Sequence, residues 1–223
     1  MNKLKSRLLA TIVGITLMPS AYATLLGVDA LAPDVNGADI ARLDQIINNS
    51  EKLWTDTRAI GQTFTMGPVD AYLNAITLQN KKNAFPAPKE YTVRVGSVSG
   101  TSFTNLGATN VDQNVGASVN DFLTFLLDSP ILLSANAVYG FDIAMTSSVA
   151  GWGDGIPYMF SSNTYGGGQA YRSMMNAQGT ETFAFINADR LFHLDLTPVP
   201  EPASLALLGL GLAGLGFSRR KAK

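Results

Sequence analysis

The C-terminal tail constrains this chain more than any other stretch. Val199-Pro200-Glu201-Pro202 is followed by Ala203 to Phe217, an uncharged run of apolar, glycine and serine residues, and then by Ser218-Arg219-Arg220-Lys221-Ala222-Lys223. At 1.5 Å per residue that run makes a helix of roughly 22 Å, short of the roughly 30 Å hydrocarbon core that a permanent anchor crosses. Burial in a soluble core is also unfavourable, because Gly209, Gly211, Gly214 and Gly216 would each cost about 1 kcal/mol relative to alanine inside a helix. The basic cluster holds to the cytoplasmic face while Ala203 to Phe217 occupies the membrane transiently, which leaves Pro200, Glu201 and Pro202 at the outer surface. The tail reads as a handling signal.

This three-part order resembles the PEP-CTERM sorting signal of exported Gram-negative proteins, with Pro200, Glu201 and Pro202 as the signature and Arg219 and Arg220 as the basic end. The resemblance covers about the last 25 residues. It implies recognition and cutting by an exosortase, an integral-membrane cysteine transpeptidase, and association with extracellular polysaccharide.

The N-terminus carries a second address. Lys3, Lys5 and Arg7 precede the apolar stretch Leu8 to Met18, and Ala21-Tyr22-Ala23 fits an A-x-A cleavage site. Residues 1–23 are therefore expected to be a signal peptide removed by signal peptidase, with the mature chain starting at Thr24. Over residues 24–202, with the signal peptide and the apolar-basic tail left out, nine basic residues face seventeen acidic ones, so the body carries about −8. Such a balance argues against nucleic acid or an anionic membrane surface as a partner. The chain has no cysteine, which excludes disulfides, a thiolate nucleophile and cysteine-based zinc sites.

Four segments are expected: the signal peptide, a leader with a short helix over 24–53, a β-domain over 54–197, and the sorting signal over 198–223. The helix is placed at Asp34 to Asn49, where Ile40, Leu43, Ile46 and Ile47 recur at spacings of three and four. From Trp54 onward the period changes to two. Ile60, Phe64 and Met66 mark one strand; Tyr72, Asn74, Ile76 and Leu78 a second; Tyr91, Val93 and Val95 a third; Tyr139, Phe141, Ile143 and Met145 a fourth. Asp121 to Leu127 is apolar enough to expect cover on both faces, and Asp128-Ser129-Pro130 is expected to end it. Roughly nine strands without strand-helix alternation predict an all-β antiparallel sandwich, jelly-roll-like, with one N-terminal helix. Segments such as Gly61 to Thr65 and Tyr91 to Val95 also resemble the jelly-roll ectodomains found ahead of such tails.

No catalytic residue stands out. The single histidine, His193, shares the less apolar face of the last strand with Asp195, and no G-x-S-x-G elbow accompanies it. The aspartates Asp112, Asp121, Asp128, Asp142, Asp154 and Asp189 are scattered rather than set as the carboxylate pair of a glycosidase. There is no calcium loop of the Asp-x-Asp-x-Asp-Gly kind, and Tyr165-Gly166-Gly167-Gly168 lacks the lysine of a phosphate loop. No cofactor is expected. Trp152, Asp154, Tyr158, Tyr165 and Tyr171 lie in or beside glycine-rich stretches and form a candidate glycan-binding set. The expected role is a secreted, non-enzymatic surface or matrix protein; a carbohydrate-binding module is the alternative and a secreted hydrolase the third reading.

Overall fold

The computed structural model describes residues 24–43, 49–52, 58–80, 89–145, 158–162, 165–174, 180–186 and 189–200. Fifteen strands lie among them: β1 (Thr24–Leu25), β2 (Gly27–Asp29), β3 (Ile40–Arg42), β4 (Asn49–Lys52), β5 (Arg58–Thr65), β6 (Ala71–Gln79), β7 (Lys89–Ser99), β8 (Ser102–Gln113), β9 (Phe122–Leu133), β10 (Val138–Met145), β11 (Tyr158–Ser162), β12 (Ala170–Met174), β13 (Thr180–Phe185), β14 (Asp189–Arg190) and β15 (Phe192–Pro198). A five-stranded sheet has the order β2-β9-β6-β15-β3 and a seven-stranded one the order β1-β8-β13-β12-β5-β10-β7. β7 also pairs with β8, so the larger sheet curls until six of its strands form a ring. β14, β11 and β4 make a small third sheet. Only the β1–β8 pairing, Thr24 opposite Val111, is parallel among those described.

The two large sheets meet across one apolar core. From the curled sheet come Ile60, Phe64, Tyr91, Val93, Val95, Phe141 and Ile143, and from the five-stranded sheet Leu73, Ile76, Leu123, Phe125, Phe192 and Leu194. Tyr91 meets Phe125 edge-on at 5.4 Å, and Phe141 meets Phe192 at 5.7 Å. The alternation on β5, β7 and β10 places these residues as the sequence predicts.

The curl creates a second interior on the opposite face of the same strands. Phe103, Tyr171 and Phe183 cluster there with Val98. Gly61, Gly96 and Gly140 make room for them: a Cβ on Gly61 would overlap the Tyr171 ring and come within 2.6 Å of the Phe141 carbonyl oxygen, and one on Gly96 would lie 2.5 Å from both the Phe103 ring and the Thr104 carbonyl oxygen. On this face Arg94 forms a two-pronged ion pair with Asp142, Nε to Oδ1 at 2.8 Å and Nη2 to Oδ2 at 2.6 Å, with its guanidinium 5.2 Å from the Phe103 ring centre.

Several expectations are corrected. Asp34 to Asn49 is not a helix in its described part, residues 34–43 and 49. Ile40–Arg42 is β3, paired with His193 and its neighbours on β15, and a turn at 37–38 precedes it. The spacing that suggested a helix stripe survives only as Ile40 resting on the core, and tertiary pairing overrides the local pattern. Residues 24–33 are not a free leader, since Leu26 is buried and its N–H donates to the Asp112 carbonyl at 2.8 Å. On β6, Tyr72 is exposed, while Leu73 and Ile76 both face the core. A bulge at Asn74 shifts the register against β9 and β15, and one extra residue moves the side-chain alternation to the other face.

β9 also runs on through Asp128-Ser129-Pro130. Leu126 lies opposite Ala75 and Ile131 opposite Leu73, so the four residues between them loop out of the ladder and Pro130 has no ladder bond to donate. Leu126 is exposed, so that strand is not covered on both faces. β8 is longer than its apolar content suggests, reaching Gln113 with buried Thr109, Val111 and Gln113 alternating with outward polar side chains. Gly100, at φ 60°, opens the two-residue turn that joins β7 to it.

Candidate functional site

The sorting signature is rooted directly in the folded domain. Thr197 and Pro198, at the end of β15, pair with Tyr72 and Ala71. The Val199 N–H then donates to the Asp70 carbonyl at 2.9 Å, while Asp70 Oδ1 accepts the Ala135 N–H at 2.7 Å. Pro200 follows, exposed, so no spacer separates the last sheet bond from the Pro-Glu-Pro peptide. Glu201, Pro202, Arg219 and Arg220 lie outside the described residues, as do Ala21 and Ala23 of the expected N-terminal cleavage site.

Of the candidate glycan set, only Tyr165 and Tyr171 have described side chains, and they pack against different apolar clusters. Trp152 and Asp154 fall outside the described residues, and Tyr158 is placed only as backbone opening β11. Tyr171 is wholly buried, its ring 4.3 Å from that of Phe183. Tyr165 is half-buried and stands edge-on to Phe192 at 5.2 Å. Burial and the charge of Asp189 raise the Tyr165 hydroxyl above its ordinary range, against a smaller opposing effect from a hydrogen bond to the Thr65 backbone. Tyr171 therefore has no free face to offer a sugar, and Tyr165 is partly covered by Phe192. Tyr165 instead belongs to a buried polar group: its N–H donates to Asp189 Oδ2 at 2.8 Å, Gln62 Nε2 donates to Asp189 Oδ1 at 3.1 Å, and Gln62 Oε1 accepts the Arg190 N–H at 2.8 Å.

His193 acquires a partner that its neighbourhood in sequence does not announce. Its Nε2 lies 3.0 Å from Asp39 Oδ2, with both side chains almost fully enclosed. Asp39 Oδ2 also accepts the Asn36 N–H, and Oδ1 the Leu196 N–H, each at 2.8 Å. Beside the pair is a groove of about 230 Å³ lined by Asp34, Thr77, Thr124, Leu126 and Asp195 among others. The Thr77 and Thr124 hydroxyls are bonded to each other at 3.0 Å. With both its oxygens occupied, Asp39 works as a clamp that fastens residues 33–39 across the outer face of the five-stranded sheet. A wider cleft of about 460 Å³ beside β8 and β9 has Asp128 as its one titratable lining residue. It therefore lacks the carboxylate pair that glycoside hydrolysis uses. Among the described residues no three carboxylate or imidazole groups converge on a metal position.

Burial alone would push the Asp39 carboxyl upward, but the Leu196 and Asn36 amides and His193 outweigh it, and the group is held below its ordinary value of 3.8. A depressed carboxylate stabilises the fold above the unfolded-state value and loses that contribution as pH falls through the folded one. Thermal unfolding of Asp39→Asn should therefore show a flatter pH dependence than the parent below about pH 4. Parallel curves for the two proteins would exclude the clamp as the cause.

Residues 198–221 match the family model of the PEP-CTERM protein-sorting motif. The tail is thus the sorting element of an exported protein that passes through a membrane-anchored stage and is processed by exosortase, a membrane enzyme. A search of curated proteins finds no match to the chain.

Proposed function

We propose that this chain is a non-enzymatic surface or extracellular-matrix protein, a jelly-roll-like sandwich delivered by its tail and retained with exopolysaccharide. The observation that carries the reading is the continuity of β15 with the matched motif: the strand that finishes the sheet is also the root of the sorting signal. The domain is then the cargo, and its −8 balance suits a soluble body outside the cell. His193, the single imidazole, is engaged by a carboxylate that is itself saturated with backbone donors, which supports a structural rather than a catalytic use.

Mass spectrometry of the cell-surface protein is expected to show a chain that begins at Thr24 and ends between Pro200 and Pro202. Recovery of peptides containing Lys223 from extracellular material would remove the sorting argument. The mature chain should also stay with the polysaccharide fraction when cells are washed. If it appears entirely in the wash, the matrix role fails while the sorting role stands.

A further inference from the structure

The root of the signal fixes which end of the sandwich meets the membrane during transit. From Val199 to Ala203, the first residue of the apolar run, there are four peptide steps, which extend to at most about 14 Å in any conformation. The headgroup layer on one side of a bilayer takes up about 5–8 Å of that. The sheet end carrying Val199 is therefore held within about 6–9 Å of the headgroup surface whenever the tail is inserted. This inference rests on the sorting reading of the tail.

The side chains at that end suit such a neighbour. It is built from two turns, residues 67–70 and 134–137, joined by hydrogen bonds from the Asn136 N–H to the Gly67 carbonyl and from the Ala135 N–H to Asp70. Val69, Tyr72, Leu132 and Val138 are exposed there. Asp70 is the one charged residue within 65–72, 132–138 and 197–200, although the body as a whole carries a large excess of carboxylates. An end so poor in negative charge avoids repulsion by anionic headgroups, and exposed valine, leucine and tyrosine side chains favour the interfacial region.

We propose that, in the tail-anchored form, the short root seats this end of the sandwich, with Val69 and Val138 at its tip, on the lipid headgroups of the outer-facing leaflet. The Pro-Glu-Pro peptide then lies in a gap too shallow for a bulky soluble protease. An enzyme that cuts it must reach it from within or alongside the bilayer.

The absence of cysteine makes the test direct. Val69→Cys, Val138→Cys and Val119→Cys, each in the chain from Thr24 to Lys223 that carries the tail but not the N-terminal signal, are labelled with an environment-sensitive fluorophore and reconstituted into vesicles of phosphatidylethanolamine and phosphatidylglycerol. Val119 is exposed at the other end, where the Asn120 N–H bonds to the Asn80 carbonyl. Nine residues of β6 place it about 30 Å away. Labels at 69 and 138 are expected to shift to the blue and to be quenched by lipids spin-labelled near the headgroup, while the label at 119 is unaffected. An inserted Gly-Ser linker of about a dozen residues after Val199, spanning about 20 Å, should relieve the quenching while the chain stays resistant to carbonate extraction. Equal signals at 69 and 119 in an inserted chain would overturn the proposal and leave the sorting reading intact, as would quenching that survives the linker or needs exosortase in the vesicles. A chain whose tail never enters the vesicles would overturn both.

Discussion

Arg94→Ala is expected to lower the unfolding free energy by about 3–5 kcal/mol, read as a fall in the urea midpoint at unchanged slope. The cost comes from what stays behind. Asp142 is completely enclosed, and without the guanidinium at 2.6–2.8 Å its charge loses its main compensation in a site that water does not reach. Phe103 also loses the cation packed 5.2 Å from its ring centre. The double variant Arg94→Met with Asp142→Leu removes both charges and should recover most of the stability, since a buried pair is often replaceable by apolar side chains of similar volume. A single variant that loses less than about 1 kcal/mol would show that Asp142 finds other compensation.

Tyr171→Ala should be nearly as costly, at about 3–5 kcal/mol, because it empties the centre of the second interior. The ring contacts Phe183 and Phe103 and fills the space above Gly61 and Gly140. Gly61→Ala attacks the same contact from the opposite side, at about 1–3 kcal/mol. In a double-mutant cycle, Gly61→Ala should cost less in the Tyr171→Ala background, with the clash against the Phe141 carbonyl oxygen remaining. Additive losses would mean that the ring and the glycine do not share that space. The result also bears on the glycan set, where Tyr171 is expected to act on stability.

What the sequence made legible was what local chemistry decides. Strict alternation in Tyr91-Thr92-Val93-Arg94-Val95 and in Tyr139 to Ile143 places those strands on the core with the correct faces. The tail's order of signature, apolar run and basic end identifies the sorting element. What stayed hidden depends on partners far along the chain. The helix reading of Asp34 to Asn49 failed because Ile40–Arg42 gains its ladder from β15, about 150 residues away, and Asp39 meets His193 and the Leu196 N–H there too. Asn74 carries no mark of a bulge, yet it decides that Leu73 rather than Tyr72 points inward. The full length of β8 carries no local signal, because its inward positions include Thr109 and Gln113, whose burial depends on what they meet across the fold. Tyr171 sits beside a glycine-rich stretch, which suggested exposure; the glycines that matter to it, Gly61 and Gly140, lie on other strands and admit the ring to the interior.

The parallel pairing of Thr24 with Val111 imposes an order on maturation. We propose cleavage after Ala23, which makes Thr24 the first mature residue and puts it in the sheet from its first backbone bond. Its partner lies 87 residues further along the chain, so under this proposal a cut made as the front of the chain emerges precedes the strand that would trap its product. A precursor that escapes that cut would have to lay β1 against β8 while still pinned to the bilayer at its front. The last cut falls under the opposite regime, because Val199 is fastened by a completed sheet. On this proposal one end would be trimmed as a nascent thread and the other as the edge of a finished solid, and a folding delay would disturb only the second.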